Sequence, residues 1–271
     1  MIMVENTKVI QETFGDGTLK CVIPNFDSIV TDNPATINIR WCYDNDAELF
    51  TLWSVVNQLR DAVNCEFELT MPYIPHARQD RNVSGRVFTL KYFAKIINLL
   101  NFKKVYVLDP HSDVSGAVID RIQQLPALID TYKHLKDDFV IMYPDAGAAK
   151  KYSANNNAII GNKHRNTDGR VVSYELLNFI PGTKKVLIVD DICSYGGTFV
   201  AAAKELKSRG VEQICLCVSH CEENIFKGEV FDYIDKVYTS DSILNLYDPN
   251  HIIPNATEDQ KNKIVIVKMF R

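Results

Sequence analysis

Along the chain, short apolar runs of strand length alternate with longer segments whose apolar positions recur at helical spacing. Thr36–Trp41 (TINIRW) reads as a strand, and Asn45–Val63 follows as an amphipathic helix with Leu49, Leu52, Trp53, Val56 and Leu59 at helical spacing. The strand Glu66–Pro72, a helix around Phe88–Leu100 and the strand Lys104–Asp109 complete a βαβαβ unit. The second half repeats the rhythm with strand Asp137–Asp145, helix Ala146–Ala154, strands Asn157–Gly161 and Lys184–Asp191, helix Gly197–Gly210 and strand Glu212–His220. Such alternation predicts an α/β protein of two doubly wound halves. The pattern breaks at Gln124–Asp130, around Pro126. Expected domains are therefore 1–125 and 126–250, with the segment 251–271 and its strand-like KNKIVIVKMF expected to return to the first domain.

Composition narrows the class. With 271 residues, 46% apolar and 24% charged, the chain suffices for one large or two ordinary α/β domains with buried sheets. A net charge of −4 leaves no global basic field for nucleic acid or an anionic membrane, so phosphates are expected to arrive with metal ions. The seven cysteines are scattered, mostly inside apolar runs, and form no CxxC pair. They read as reduced core residues of a cytoplasmic protein. No leader pattern and no apolar run near the roughly 20 residues of a membrane span is present, so a soluble, unprocessed protein is expected.

In open parallel sheets ligands gather beyond the carboxyl ends of strands. Here those positions hold PYIPHARQDR, DPHSD, PDAGAAKK, NKHRN and DDICSYGGT, each bearing charged groups. The last is the most informative. Gly196 and Gly197 permit a tight turn with exposed amides, Ser194 and Thr198 add hydroxyls, and the next helix directs its positive end at the same spot. That combination suits a phosphate. Asp190 and Asp191 would repel one, but suit the vicinal hydroxyls of a ribose or a Mg2+ ion bridging to it. A helix N-terminus with acidic capping is the structural alternative from these residues alone.

VLIVDDICSYGGT resembles the ribose-phosphate loop of the type I phosphoribosyltransferase superfamily. ARQDR resembles the ATP-site motif of the ribose-phosphate diphosphokinases, which make phosphoribosyl diphosphate (PRPP), and DPHSD, PDAGAAKK and NKHR resemble further segments of that family, in family order. The resemblance implies two related domains of the type I phosphoribosyltransferase-like fold and an enzyme that moves the β,γ-diphosphoryl group of ATP to a ribose 1-hydroxyl. By the same resemblance Lys163 and Arg165 are catalytic, and Arg78, Gln79, Asp80 and Arg81 serve ATP. Phe14 and Asp16 of TFGDG contact adenine, reaching it from a neighbouring subunit of a homodimer or homohexamer. His111 and Asp145 bind Mg2+, while Asp190, Asp191, Ser194, Tyr195, Gly196, Gly197 and Thr198 hold ribose and its phosphate.

The departures from the family are as specific. Thr18 stands where the family usually has Glu, and NVSGRVFTLK after ARQDR is short, which puts nucleotide regulation there in doubt. The chain is also expected to lack most of the family's first strand and helix. In the phosphate loop Ser194 replaces an acid and Tyr195 adds a large ring, which either packs or stacks on a base of a larger acceptor. Two acceptors follow, ribose 5-phosphate or, as in a viral NAD-salvage branch of the family, ADP-ribose. A silent regulatory subunit would not need Lys163, Arg165, His111, Asp145, Asp190 and Asp191, and a phosphoribosyltransferase would not need ARQDR.

Overall fold

The chain divides into two units, Met1–Leu125 with Phe270, and Pro126–Met269 with Arg271. The computed structural model describes residues 1–131, 137–152, 158–165, 171–248 and 251–271, with the side chains of 163–165 and 171–172 outside the described residues.

The first unit is built on a six-stranded sheet of order β2-β1-β5-β6-β7-β8, from β1 (Ile2–Val4), β2 (Thr7–Lys8), β5 (Thr36–Trp41), β6 (Glu66–Thr70), β7 (Lys104–Leu108) and β8 (Ile122–Leu125). Strands β5 to β8 pair in parallel, and β1 joins β5 antiparallel. Ile37, Ile39 and Trp41 are buried and Asn38 is exposed, the period of a pleated strand. A separate hairpin, β3 (Ile10–Thr13) with β4 (Leu19–Val22), precedes them. The expected helix after β5 spans Ala47–Ala62 and buries Leu52, Val55, Val56 and Leu59. Trp53 departs from the expected face, since its ring is 37% exposed and Val55 takes the inward position. The next helix is Thr89–Leu99, burying Leu90, Phe93, Ala94 and Ile97 at i, i+3, i+4, i+7 spacing.

The second unit carries a seven-stranded sheet of order β11-β10-β9-β12-β13-β14-β15. Its strands are β9 (Val140–Tyr143), β10 (Ile159–Arg165), β11 (Val171–Leu177), β12 (Lys185–Cys193), β13 (Gln213–Cys221), β14 (Lys236–Ser240) and β15 (Ile264–Val267). All neighbours are parallel except the β10–β11 hairpin. Val186–Val189 and Ile214–Cys221 are buried without alternation, as befits central strands covered on both faces. Two expectations change here. β12 extends two residues past the expected end at Asp191, to Cys193, so the carboxylates precede the strand's last two residues. NKHR continues β10 as a strand instead of ending it. The end of the expected helix after Asp145, Ser153 and Ala154, lies outside the described residues, as does Asn157; the described helix is Ala146–Lys151.

The final strand pairs with β14, Val237 opposite Ile264, and therefore belongs to the second sheet. Phe270, beyond it, packs with Cys42 and Leu108 of the first unit, and its carbonyl accepts from Arg40 Nη1 at 3.0 Å. None of the seven cysteines is bridged in a disulfide. Among the described residues no helix is long and apolar enough to cross a membrane.

Candidate active site

In the first unit the motifs after β6 and β7 leave the carboxyl ends of adjacent parallel strands, tied together where Leu108 N donates to Pro72 O at 2.9 Å. Each exit turns through a non-glycine residue in left-handed backbone, His76 (φ 65) and Asp109 (φ 41), the conformation of a sharp turn. Asp109 is buried; His111, two residues on, is exposed. Apolar residues Met71, Ile74 and Ala77 anchor the β6 loop, leaving Arg78 and Gln79 exposed. Gln79 Oε1 accepts from Thr89 Oγ1 at 2.9 Å, which orients its amide, while Arg81 approaches Asp80 Oδ1 at 3.4 Å with its guanidinium side chain 81% exposed.

Phe14 and Asp16 form the tip of the β3–β4 hairpin. Phe14 is 55% exposed, an aromatic surface its own unit does not cover. Thr18, the residue that departs from the family, donates through its hydroxyl at 2.7 Å and its amide at 3.0 Å to Asp16 Oδ1. Those bonds hold the Asp16 carboxyl below its ordinary range.

The second unit gathers the carboxylates. Asp145 follows β9 and caps the helix Ala146–Lys151, its Oδ1 accepting from Ala148 N at 3.0 Å. Asp190 accepts from the Asp191 amide at 2.9 Å, and Asp191 Oδ2 lies 3.6 Å from Lys151 Nζ. Burial, then the Asp191 charge and further the Asp145 charge, push the Asp190 carboxyl well above its ordinary value. A group of negative charges this costly to assemble suits a site that receives hydroxyl donors or a cation.

The glycine loop follows at once. Gly196 takes φ 77, and a Cβ there would stand 2.1 Å from Val230 Cγ2; a Cβ on Gly228 would stand 2.2 Å from Tyr195 O. The back of the loop is therefore packed shut. Its front is open, since a Cβ on Gly197 meets nothing within 4 Å. The helix Gly197–Ser208 starts there, presenting its first amides without intrahelical partners. Thr198 is half-buried, and the Tyr195 ring is 56% exposed. Ser194 donates to Glu222 Oε2 at 2.5 Å, and Asn224 Nδ2 reaches the same oxygen at 3.0 Å.

Lys163 and Arg165 occupy β10 by their backbone, paired with Tyr174 and Val171; their side chains lie outside the described residues. Three contributors are given no role by the motifs. Lys151 sat in a motif but without a role; Tyr174, half-buried on β11, donates to Pro144 O at 2.8 Å; Glu222 meets Ser194 only because β12 and β13 pair.

Comparison with known proteins agrees with this geometry. Residues 144–267 match the phosphoribosyl transferase domain. A ribose-phosphate pyrophosphokinase of Prochlorococcus marinus is 30% identical over 230 residues, covering 80% of this chain and 68% of that protein. Similar enzymes from Thermosipho africanus (28% identical; 74% and 68% covered) and Mycoplasma genitalium (27%; 89% and 76%) align likewise. In fold, the chain resembles phosphoribosylpyrophosphate synthetase from Mycobacterium smegmatis at a TM-score of 0.71, with 14% identity, covering 97% of this chain and 86% of that one.

Proposed function

The chain belongs to the ribose-phosphate pyrophosphokinase family, and from that premise we propose that it is a Mg2+-dependent diphosphokinase acting on ATP and a ribose 5-phosphate moiety. The 1-hydroxyl oxygen of the ribose attacks the β-phosphorus of ATP. The bond from that phosphorus to the α,β-bridging oxygen breaks, AMP leaves with the oxygen, and the hydroxyl proton is lost. With ribose 5-phosphate the products are PRPP and AMP.

The observation that carries the reading is the end of β12, where Asp190 and Asp191 near the close of the strand lead within a few residues into a glycine loop closed at its back and open at its front. Carboxylates there accept hydrogen bonds from the ribose diol, and the amides at the start of the helix Gly197–Ser208 receive the 5-phosphate. Arg78 and Gln79 bind the nucleotide, with Asp80 and Arg81 shaping that loop. The exposed Phe14, with Asp16 in the same turn, serves the adenine of a neighbouring protomer, which requires a homodimer or homohexamer. Lys163 and Arg165 place positive charge against the transferring diphosphoryl group, where positioning and electrostatics account for most of the catalysis.

Among the described residues no group of three or more His, Cys, Asp and Glu side chains is arranged as a metal cage. By the family resemblance, His111 in the first unit and Asp145 in the second are each proposed as a Mg2+ ligand, an ion that ordinarily takes one or two protein groups and completes its shell with substrate oxygens and water. Bound Mg2+ would neutralise phosphate charge. A cytoplasmic location agrees with the free cysteines.

ADP-ribose is the second acceptor to consider, in an NAD-salvage role, because the Tyr195 ring is left exposed beside the phosphate loop, available to stack on a distal adenine. Incubation with ATP, Mg2+ and either acceptor, followed by 31P NMR, tests the proposal: a new diphosphate ester must appear together with AMP. ATP left intact with both acceptors would refute it.

A further inference from the structure

Tyr174 lies opposite Lys163 in the register of the β10–β11 hairpin and diagonal to Gly161. A Cβ on Gly161 would stand 1.9 Å from Tyr174 Oη and 2.6 Å from the Pro144 carbonyl oxygen, so only glycine leaves the ring its path. Through that gap the hydroxyl donates to Pro144 O at 2.8 Å. Pro144 immediately precedes Asp145, whose Oδ1 is held by Ala148 N. The turn bearing Asp145 is therefore fixed on one side by its own helix and on the other by the hairpin. Burial, then the charges of Asp145 and Asp190, keep the Tyr174 phenol protonated, so it stays a donor.

We propose that Tyr174 is a positioning residue for the transfer reaction, its hydroxyl pinning the Pro144–Asp145 turn to the hairpin rung that carries Lys163. Asp145 and the Lys163 strand are thereby held in one fixed relation, and freedom between them is removed before substrates bind. This rests on the diphosphoryl-transfer reading and adds to it a residue outside every motif that suggested that reading.

Tyr174→Phe keeps the ring and deletes the bond. The variant should lose about 10-fold in kcat, with KM for ATP changed less than about twofold. It should also need several-fold more Mn2+ for half-maximal rate. Direct titration of Mn2+, with the free ion followed by electron paramagnetic resonance in the presence of a non-hydrolysable ATP analogue, should show the same weakening. A purely structural role would lower the melting temperature and leave kcat and Mn2+ affinity at wild-type values, and that result overturns the proposal. Should the wild-type chain form no diphosphate ester, the functional reading fails on its own account. The Mn2+ titrations still decide, since equal affinity in wild type and Tyr174→Phe overturns the positioning role.

Discussion

Ser194 donates its hydroxyl hydrogen to Glu222 Oε2 across 2.5 Å, so the residue that replaces an acid in the phosphate loop is itself bonded to an acid from the end of β13. In this arrangement the hydroxyl hydrogen faces Glu222, and serving a phosphate would require it to turn. Hydrogen bonds donated to a carboxylate are among the stronger ones in proteins. Ser194→Ala should therefore raise the acceptor KM by less than about threefold while lowering stability by about 1–2 kcal/mol in urea denaturation, because Glu222 keeps Asn224 as a partner. A large KM increase without loss of stability would show that the hydroxyl turns to the phosphate.

Asp190 gives a pH signature. Its carboxyl is raised above 3.8 chiefly by burial, then by the Asp191 charge. The native state thus holds a proton the unfolded chain releases, and stability falls as pH rises from 3.8 toward the folded value. In metal-free buffer at neutral pH, Asp190→Asn should melt higher than wild type, by roughly 2–4 °C for each kcal/mol relieved. The advantage should shrink toward acidic pH, and activity should be lost. Identical melting at all pH values would mean that Asp190 pays no ionisation penalty in the fold.

Tyr195 separates the two acceptors. If its exposed ring stacks on a distal base, Tyr195→Ala should cost about 1–3 kcal/mol in kcat/KM for ADP-ribose and little for ribose 5-phosphate. Equal losses, or none, would make the ring a surface feature of the loop.

Lys163 and Arg165 share the hairpin strand β10. Each changed to Ala should lower kcat by about 100-fold or more, roughly 3 kcal/mol of transition-state stabilisation, with ATP affinity little changed. Steady-state kinetics alongside ATP titration of the inactive variants checks this; near-normal turnover would remove the residue from the chemistry.

The strands legible from the sequence, β5, β6, β7, β9, β12 and β13, are those whose apolar content is dictated by burial. NKHR read as a strand ending because its polar residues show no alternation. It extends β10 because the partner strand β11, at the sheet's edge, supplies the hydrogen bonds. The short strands β1 and β2 left no period to detect. The motif residues could be named because strand ends and glycine turns leave local signatures. Tyr174 and Glu222 could not, since their contacts with Pro144 and Ser194 span 30 and 28 residues and depend on sheet register. Helical spacing points Trp53 inward, yet Val55 takes that place because the buried face follows the neighbouring elements more closely than the average period.

The most direct test of diphosphoryl transfer follows an oxygen atom. With ribose 5-phosphate or ADP-ribose carrying 18O at the anomeric hydroxyl, ATP and Mg2+, short reactions analysed by mass spectrometry should give a diphosphate ester that retains the label, and unlabelled AMP in equal amount. Formation of ADP in place of AMP, or a diphosphate ester from which the anomeric 18O has been displaced, would contradict attack of the ribose 1-hydroxyl on the β-phosphorus.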